Sequence, residues 1–232
     1  MTNILLILTS LAAFAVPHSL TASLASKAAV RRRIGGYNAD GLYRVAYNLL
    51  SVITVVPPFA LAILLPDGPP IWTIPAPLLV LTIPVQVAAA FGMALSLWRV
   101  GLPRFLGLRQ FARWLRPPPP GPSPEAERHA SGEGSLLFRP VLRTDGIHGW
   151  VRHPLYFFSL VVLYLIPEMT PNRLALTLGV HGYFWIGSIF EERKLVAEFG
   201  EAYREHQRRV PRLLPFPRPR GRYPDSAGHV EE

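Results

Sequence analysis

The stretch Val45–Leu65 reads VAYNLLSVITVVPPFALAILL and carries no formal charge over its 21 residues. At about 1.5 Å of rise per helical residue such a run reaches about 30 Å, the thickness of a bilayer's hydrocarbon core. Two neighbours share the property, Ile4–Leu24 before it and Ile71–Trp98 after it. Backbone amides in hydrocarbon must be satisfied within the segment, so each run is expected to be a helix. The whole chain agrees: half of its 232 residues are hydrophobic and only 17% are charged, a balance unusual for a soluble domain of this length. The predicted fold class is all-α, an integral membrane helical bundle.

Two shorter apolar runs follow, Leu155–Ile166 and Leu174–Phe190, divided by Pro167-Glu168-Met169-Thr170-Pro171-Asn172. The prolines punctuate a turn and predict a helical hairpin. Twelve residues rise only about 18 Å, so the first of these helices either draws in flanking residues such as Pro154 or tucks into a re-entrant hairpin.

Lys and Arg set the sidedness. Five lie between the first two runs, nine in Arg99–Arg152, nine in Arg193–Arg222, and only Arg173 stands apart. Under the positive-inside rule this predicts five transmembrane helices in the cell inner membrane, with the N-terminus outside and the C-terminus cytoplasmic. The first run has no basic segment ahead of it and runs past signal length before Lys27 and Arg31-Arg32-Arg33, so it is read as a retained helix. Topology and attraction to anionic membrane lipid account for the net charge of +9, which leaves nucleic acid no part to play. The chain divides into a three-span region (1–110), a disordered cytoplasmic linker (111–137), a hairpin with its cap (138–215) and a disordered tail (216–232). Cysteine is absent, which excludes disulfides, thiolate metal sites and a cysteine nucleophile.

Chemistry-bearing residues crowd the cytoplasmic side of the hairpin. Its entry reads Gly146-Ile147-His148-Gly149-Trp150-Val151-Arg152-His153-Pro154-Leu155-Tyr156. Its exit reads Glu191-Glu192-Arg193-Lys194-Leu195, then Phe199-Gly200-Glu201-Ala202-Tyr203 and Val210-Pro211-Arg212-Leu213-Leu214-Pro215. A hairpin returns to the side it left, so Arg152 and His153 are expected to meet Glu191 and Glu192 at one membrane face. Taken alone, Arg152-His153-Pro154 also reads as an interfacial helix start with a snorkelling arginine, and Glu191-Glu192 as a solvated pair answering Arg193 and Lys194. His18 and His181 lie inside apolar runs, where an imidazole needs a partner, and each is either a packing hydrogen bond or part of a site. Such histidines also raise haem ligation, but the facing pairs across two helices are missing.

In order along the chain, Val151-Arg152-His153-Pro154-Leu155-Tyr156, the turn at Pro167-Glu168-Met169-Thr170, Glu191-Glu192-Arg193-x-Leu195 and Phe199-Gly200-x-x-Tyr203 resemble the isoprenylcysteine carboxyl methyltransferase superfamily. That superfamily also takes in phospholipid and methanethiol methyltransferases, and the likeness covers about residues 138–215. In the N-terminal half, His18-Ser19-Leu20-Thr21-Ala22-Ser23 and Leu42-Tyr43-Arg44-Val45-Ala46-Tyr47-Asn48 are similar to NnrU-type and methanethiol S-methyltransferase-like membrane proteins. That half argues against a prenyl-cysteine substrate.

The resemblance implies an enzyme that moves a methyl group from S-adenosyl-L-methionine to a small thiol or lipid-like acceptor. The cofactor is expected at the cytoplasmic ends of the last helices, beneath the C-terminal segment. Arg152 and His153 would face its methionine carboxylate. Glu191 or Glu192 would accept from ribose hydroxyls or the amino group, and Tyr156 would wall the sulfonium. Tyr203, Trp150 and Tyr183 are further aromatic candidates. His18 or His153 is the expected catalytic acceptor of a thiol proton. In-line displacement at carbon asks chiefly for near-attack placement in a dry pocket, so no metal is expected. His148 and His206 stand where the family often carries aromatic residues. That departure leaves open a non-catalytic NnrU-type membrane protein associated with denitrification or respiration. Sterol reductases share the architecture and bind NADPH, but no Arg-rich phosphate site stands out here beyond the topological charges.

Overall fold

The computed structural model describes residues 1–116 and 142–216. Helix α1 (Thr2–Ala22) stops at Ser23, whose hydroxyl accepts from the Ser26 amide at 3.1 Å and caps α2 (Leu24–Ile34). Gly35, at φ 79°, turns the chain into α3 (Gly36–Leu64). Strand β1 (Trp72–Thr73) precedes α4 (Ala76–Val100), α5 (Leu102–Phe105) and α6 (Leu108–Trp114). After residue 141 come α7 (Ile147–Trp150), α8 (Pro154–Tyr164), β2 (Glu168–Met169), α9 (Pro171–Phe199) and α10 (Glu201–Arg209). The linker expected over 111–137 overlaps the end of α6, and from residue 117 it lies outside the described residues, as does the expected tail from residue 217.

Among the described residues three helices are long and apolar enough to cross a membrane: Thr2–Ala22, Gly36–Leu64 and Ala76–Arg99. Among the described residues their outward faces are largely apolar. On α3, Leu49, Val52, Ile53, Val56 and Ile63 are all exposed, a surface suited to lipid. Helix α8 is apolar but has only 11 residues. Helix α9 has 29, apolar at first and charged from Glu191 onward.

The core forms where α1 and α3 meet α9. Ile7, Leu11 and Phe14 recur at helical spacing along one face of α1 and bury against Ala62 of α3 and Leu176 and Val180 of α9. Helix α4 leans instead on α8, where a Cβ at Gly92 would stand 2.6 Å from the Phe158 ring. Small residues at such crossings let helices without a hydrophobic driving force approach closely.

One end of the bundle is pinned by polar contacts. Asn3 Nδ2 donates to Pro66 O at 2.6 Å, and both Asp67 carboxylate oxygens lie 3.3 Å from the Asn172 amide that donates to them. Beside them β1 and β2 pair antiparallel, Trp72 opposite Met169 and Thr73 opposite Glu168. The all-α expectation therefore gains a small strand pair. Pro75 holds the residue before it extended, so α4 starts at Ala76 and residues 71–74 are left free to pair. The opposite end gathers α2, α5, α6, α7 and α10. There Arg44 Nε donates to Phe105 O at 3.0 Å and Lys194 Nζ to Ala22 O at 3.3 Å, so the basic segments converge on one face.

Helix α6 is docked on α3 at Gly41, where an added Cβ would collide with the Cβ of Trp114, the root of a side chain that rotation cannot move. Gly41→Val is expected to lower the thermal midpoint in detergent by several degrees, matching an overpacking cost of about 1–3 kcal/mol. Gly187→Ala, at a position with nothing within 4 Å, is expected to leave the midpoint unchanged or raise it.

Candidate functional site

At the basic end, Pro154 opens α8 at its first turn and keeps His153 out of the helix, at φ −118° and ψ 68°. The non-helical backbone of residues 152 and 153 is strapped by the C-terminal segment. The Arg152 amide donates to Pro211 O at 3.0 Å and the His153 amide to Arg212 O at 3.1 Å. Val151, Val210 and Leu213 are buried under this strap.

Arg152 is spent within the fold. Its Nε and Nη2 both reach Glu192 Oε1 at 2.7 Å, and its Nη1 donates to Gln207 O at 2.8 Å and Val210 O at 2.7 Å. The other Glu192 oxygen accepts from Gln207 Nε2 at 3.0 Å. With its side chain only 5% exposed, Arg152 ties the start of α8, the end of α9 and the end of α10 to one point. It has little left to offer a cofactor carboxylate directly.

His153 sits between the two carboxylates, Nδ1 3.4 Å from Glu191 Oε2 and Nε2 3.3 Å from Glu192 Oε1. Tyr156 donates its hydroxyl to the same Glu191 oxygen at 3.1 Å. The rings form a stack: His153 on Tyr156 at 5.3 Å and 5°, Tyr156 on Phe184 at 4.3 Å and 6°. Glu192 is buried, whereas the Glu191 side chain is 49% exposed. Burial disfavours the His153 charge, but Glu191 and Glu192 outweigh it and raise its pKa above the usual imidazole value. Burial likewise pushes both carboxyls up, yet His153, with Tyr156 on Glu191 and Arg152 on Glu192, holds them below the usual range.

His18, the other expected proton acceptor, lies on α1 among neutral partners. Its Nδ1 is 2.9 Å from Ser51 Oγ and its Nε2 2.7 Å from the Tyr47 hydroxyl. Its ring approaches Tyr183 at 6.2 Å, and Tyr183 approaches Phe184 at 6.1 Å, so aromatic side chains join it to the C-terminal cluster. Tyr203 is buried beside Arg152 and Glu192 with its hydroxyl unpaired among the described residues, and burial raises its pKa. Trp150 turns away, its exposed ring edge-on to Phe157 at 5.3 Å. His181 pairs with the Tyr164 hydroxyl at 2.8 Å and serves the packing of α8 on α9. Sequence reasoning missed Ser51, Phe184 and Gln207; Tyr47 stood within a quoted motif without a role.

The chain shares 39% identity over 71 residues with a methanethiol S-methyltransferase of Mycobacterium tuberculosis, covering 31% of this chain and 29% of that protein. It shares 42% over 73 residues with one of Pseudomonas deceptionensis, 32% of this chain and 28% of that protein. About a third of the chain is similar to methanethiol S-methyltransferases. A second such protein of Bradyrhizobium diazoefficiens is 38% identical over 82 residues, 35% of this chain and 32% of its own length. The similarity spans about a third of the length of these curated relatives. No family model and no solved structure matches the chain.

A groove of about 300 Å³ runs beside the ion pair, lined by Ile189, Glu192, Arg193, Val196, Gln207 and Arg212, with the Arg212 guanidinium 4.2 Å above the Trp185 ring. A larger cavity of about 500 Å³ opens at the pinned end between Phe59, Ala62, Leu163 and Leu176, but it is mostly apolar and far from the charged cluster. Among the described residues no three metal-binding side chains converge.

The charged cluster sets a pH window. The His153 contribution to stability is complete below about pH 6.5, its unfolded value, and is lost as pH rises through the raised folded value. The Glu191 and Glu192 contributions are complete above about pH 4.5 and are lost as pH falls through their lowered folded values. The thermal midpoint in detergent, followed by intrinsic fluorescence, is expected to peak between about pH 4.5 and 6.5. In His153→Gln the decline on the alkaline side is expected to flatten, since the titrating group is gone.

Proposed function

We propose that this chain is an inner-membrane methyltransferase of five spans, N-terminus outside and C-terminus cytoplasmic, that transfers a methyl group from S-adenosyl-L-methionine to a small thiol. The relatives named methanethiol S-methyltransferase support the reaction, and the convergence of basic segments on one end supports the sidedness. The observation that carries the reading is the half-exposed Glu191 side chain, backed by His153 and Tyr156 and set at the rim of a strapped, aromatic-walled cluster.

The residues present fit a cationic nucleoside. Glu191 offers acceptor oxygens to an amino group or a ribose hydroxyl, and the Phe184 end of the ring stack offers a π face to a sulfonium, with Tyr156 held behind it. The adjoining groove is at the lower end of the size range of small-molecule pockets, and Arg193 and Arg212 line it with positive charge for a carboxylate. Arg152 and His153 act by holding the two glutamates in place rather than by touching the methionine moiety. Glu192 orients Arg152 and Gln207, and Tyr203 closes the cluster from α10. When bound, the cofactor supplies an electrophilic methyl group on sulfur. The chain's part is to orient the acceptor, exclude water and receive its proton.

Isothermal titration of the detergent-purified chain with S-adenosylhomocysteine is expected to give saturable binding, weakened by about tenfold or more in Glu191→Gln through loss of a charge-assisted hydrogen bond. No heat at millimolar ligand from folded protein would overturn the reading and favour a non-catalytic NnrU-type protein. Turnover of methanethiol to dimethyl sulfide, followed by headspace gas chromatography, is the matching activity.

A further inference from the structure

The polar trio His18, Tyr47 and Ser51 sits at the depth of apolar segments, where every such group must find a partner. Its hydrogen bonds have a direction. The Ser51 hydroxyl donates to the Tyr47 carbonyl at 2.7 Å, which leaves its oxygen lone pairs to face His18 Nδ1 at 2.9 Å. Nδ1 must then carry the ring proton, and Nε2 is left with its lone pair. The group facing Nε2 is the Tyr47 hydroxyl at 2.7 Å, which donates to it. The chain of bonds thus ends on a phenol whose own oxygen is free to accept.

The Tyr47 ring lies 4.9 Å from the His18 ring, which in turn approaches Tyr183 at 6.2 Å, and Tyr156 is hydrogen-bonded to Glu191. The trio therefore stands across the aromatic ladder Tyr183–Phe184–Tyr156 from the charged cluster. His18, Tyr47 and Ser51 are only half-buried, so a small molecule can reach them. His153 cannot share the task. Both of its ring nitrogens face carboxylate oxygens, at 3.4 and 3.3 Å, so neither nitrogen is turned toward an incoming thiol.

We propose that Tyr47 and His18 are the proton-accepting relay for a small alkyl thiol. The thiol gives its proton to the Tyr47 oxygen as the Tyr47 proton passes to His18 Nε2, leaving an imidazolium held by Ser51. The thiolate sulfur forms the new sulfur–carbon bond as the bond between methyl and sulfonium breaks. A neutral thioether is left on the donor, and His18 later returns its proton to water. This inference rests on the methyl-transfer reading above and names two of that reaction's catalytic residues.

The test compares the purified full chain with Tyr47→Phe and His18→Gln on two acceptors at pH 8, an alkyl thiol and an aromatic thiol that is already ionised. Toward the alkyl thiol each variant is expected to lose about 10²-fold or more in rate, the usual reach of a general base, while much of the rate toward the ionised thiol remains. S-adenosylhomocysteine affinity is expected to be equal in all three proteins. Independently of turnover, ¹⁵N NMR of histidine-labelled protein is expected to show His18 protonated at Nδ1, with the tautomers mixed in Ser51→Ala. Equal losses toward both thiols, or an unchanged alkyl-thiol rate, would overturn the relay while leaving methyl transfer standing. A wild type that binds no S-adenosylhomocysteine and methylates neither thiol would overturn both.

Discussion

A guanidinium buried without a partner costs several kcal/mol, and at the basic end of this bundle Arg152 is buried. Its neighbours follow from that constraint. Helix α9 must run far enough to bring Glu192 beside it, and α10 must stop where the carbonyls of Gln207 and Val210 point back at it. The strap through Pro211 and Arg212 then lies along the non-helical backbone just ahead of Pro154. A buried ion pair of this kind adds little net stability compared with an apolar substitute, but it specifies one arrangement of three segments that are distant in sequence.

The meeting of Arg152 and His153 with Glu191 and Glu192 was legible, because a hairpin must return to the side it left. Which glutamate would be buried was not. Successive helical residues point about 100° apart, and only the docking of α10 decides that Glu192 faces inward while Glu191 looks out. The spending of Arg152 on backbone carbonyls was invisible for a different reason: every residue has a carbonyl, so Gln207 and Val210 bear no mark of the role. The strand pair was missed because two residues are too few to show alternation. Hydropathy located the span at Val45, whereas α3 begins at Gly36, since hydropathy marks contact with lipid and not the limits of a helix.

Polarity is graded with depth. Ionised side chains occupy the rim around Arg152, and the neutral hydrogen-bonding trio of His18, Tyr47 and Ser51 lies farther along α1 and α3. Charges in hydrocarbon are expensive and neutral polar groups with partners much less so. This gradient suits a reaction between a charged donor arriving from water and an apolar acceptor arriving through the bilayer. The aromatic ladder between the two is the region where they would meet.

The strand pair and the Asp67–Asn172 contact hold the other end of the bundle closed. The Arg152 ion pair and the strap of residues 210–213 fasten the opposite end, so the bundle is clamped at both ends and the His18, Tyr47 and Ser51 trio lies along the stretch of α1 and α3 between the clamps.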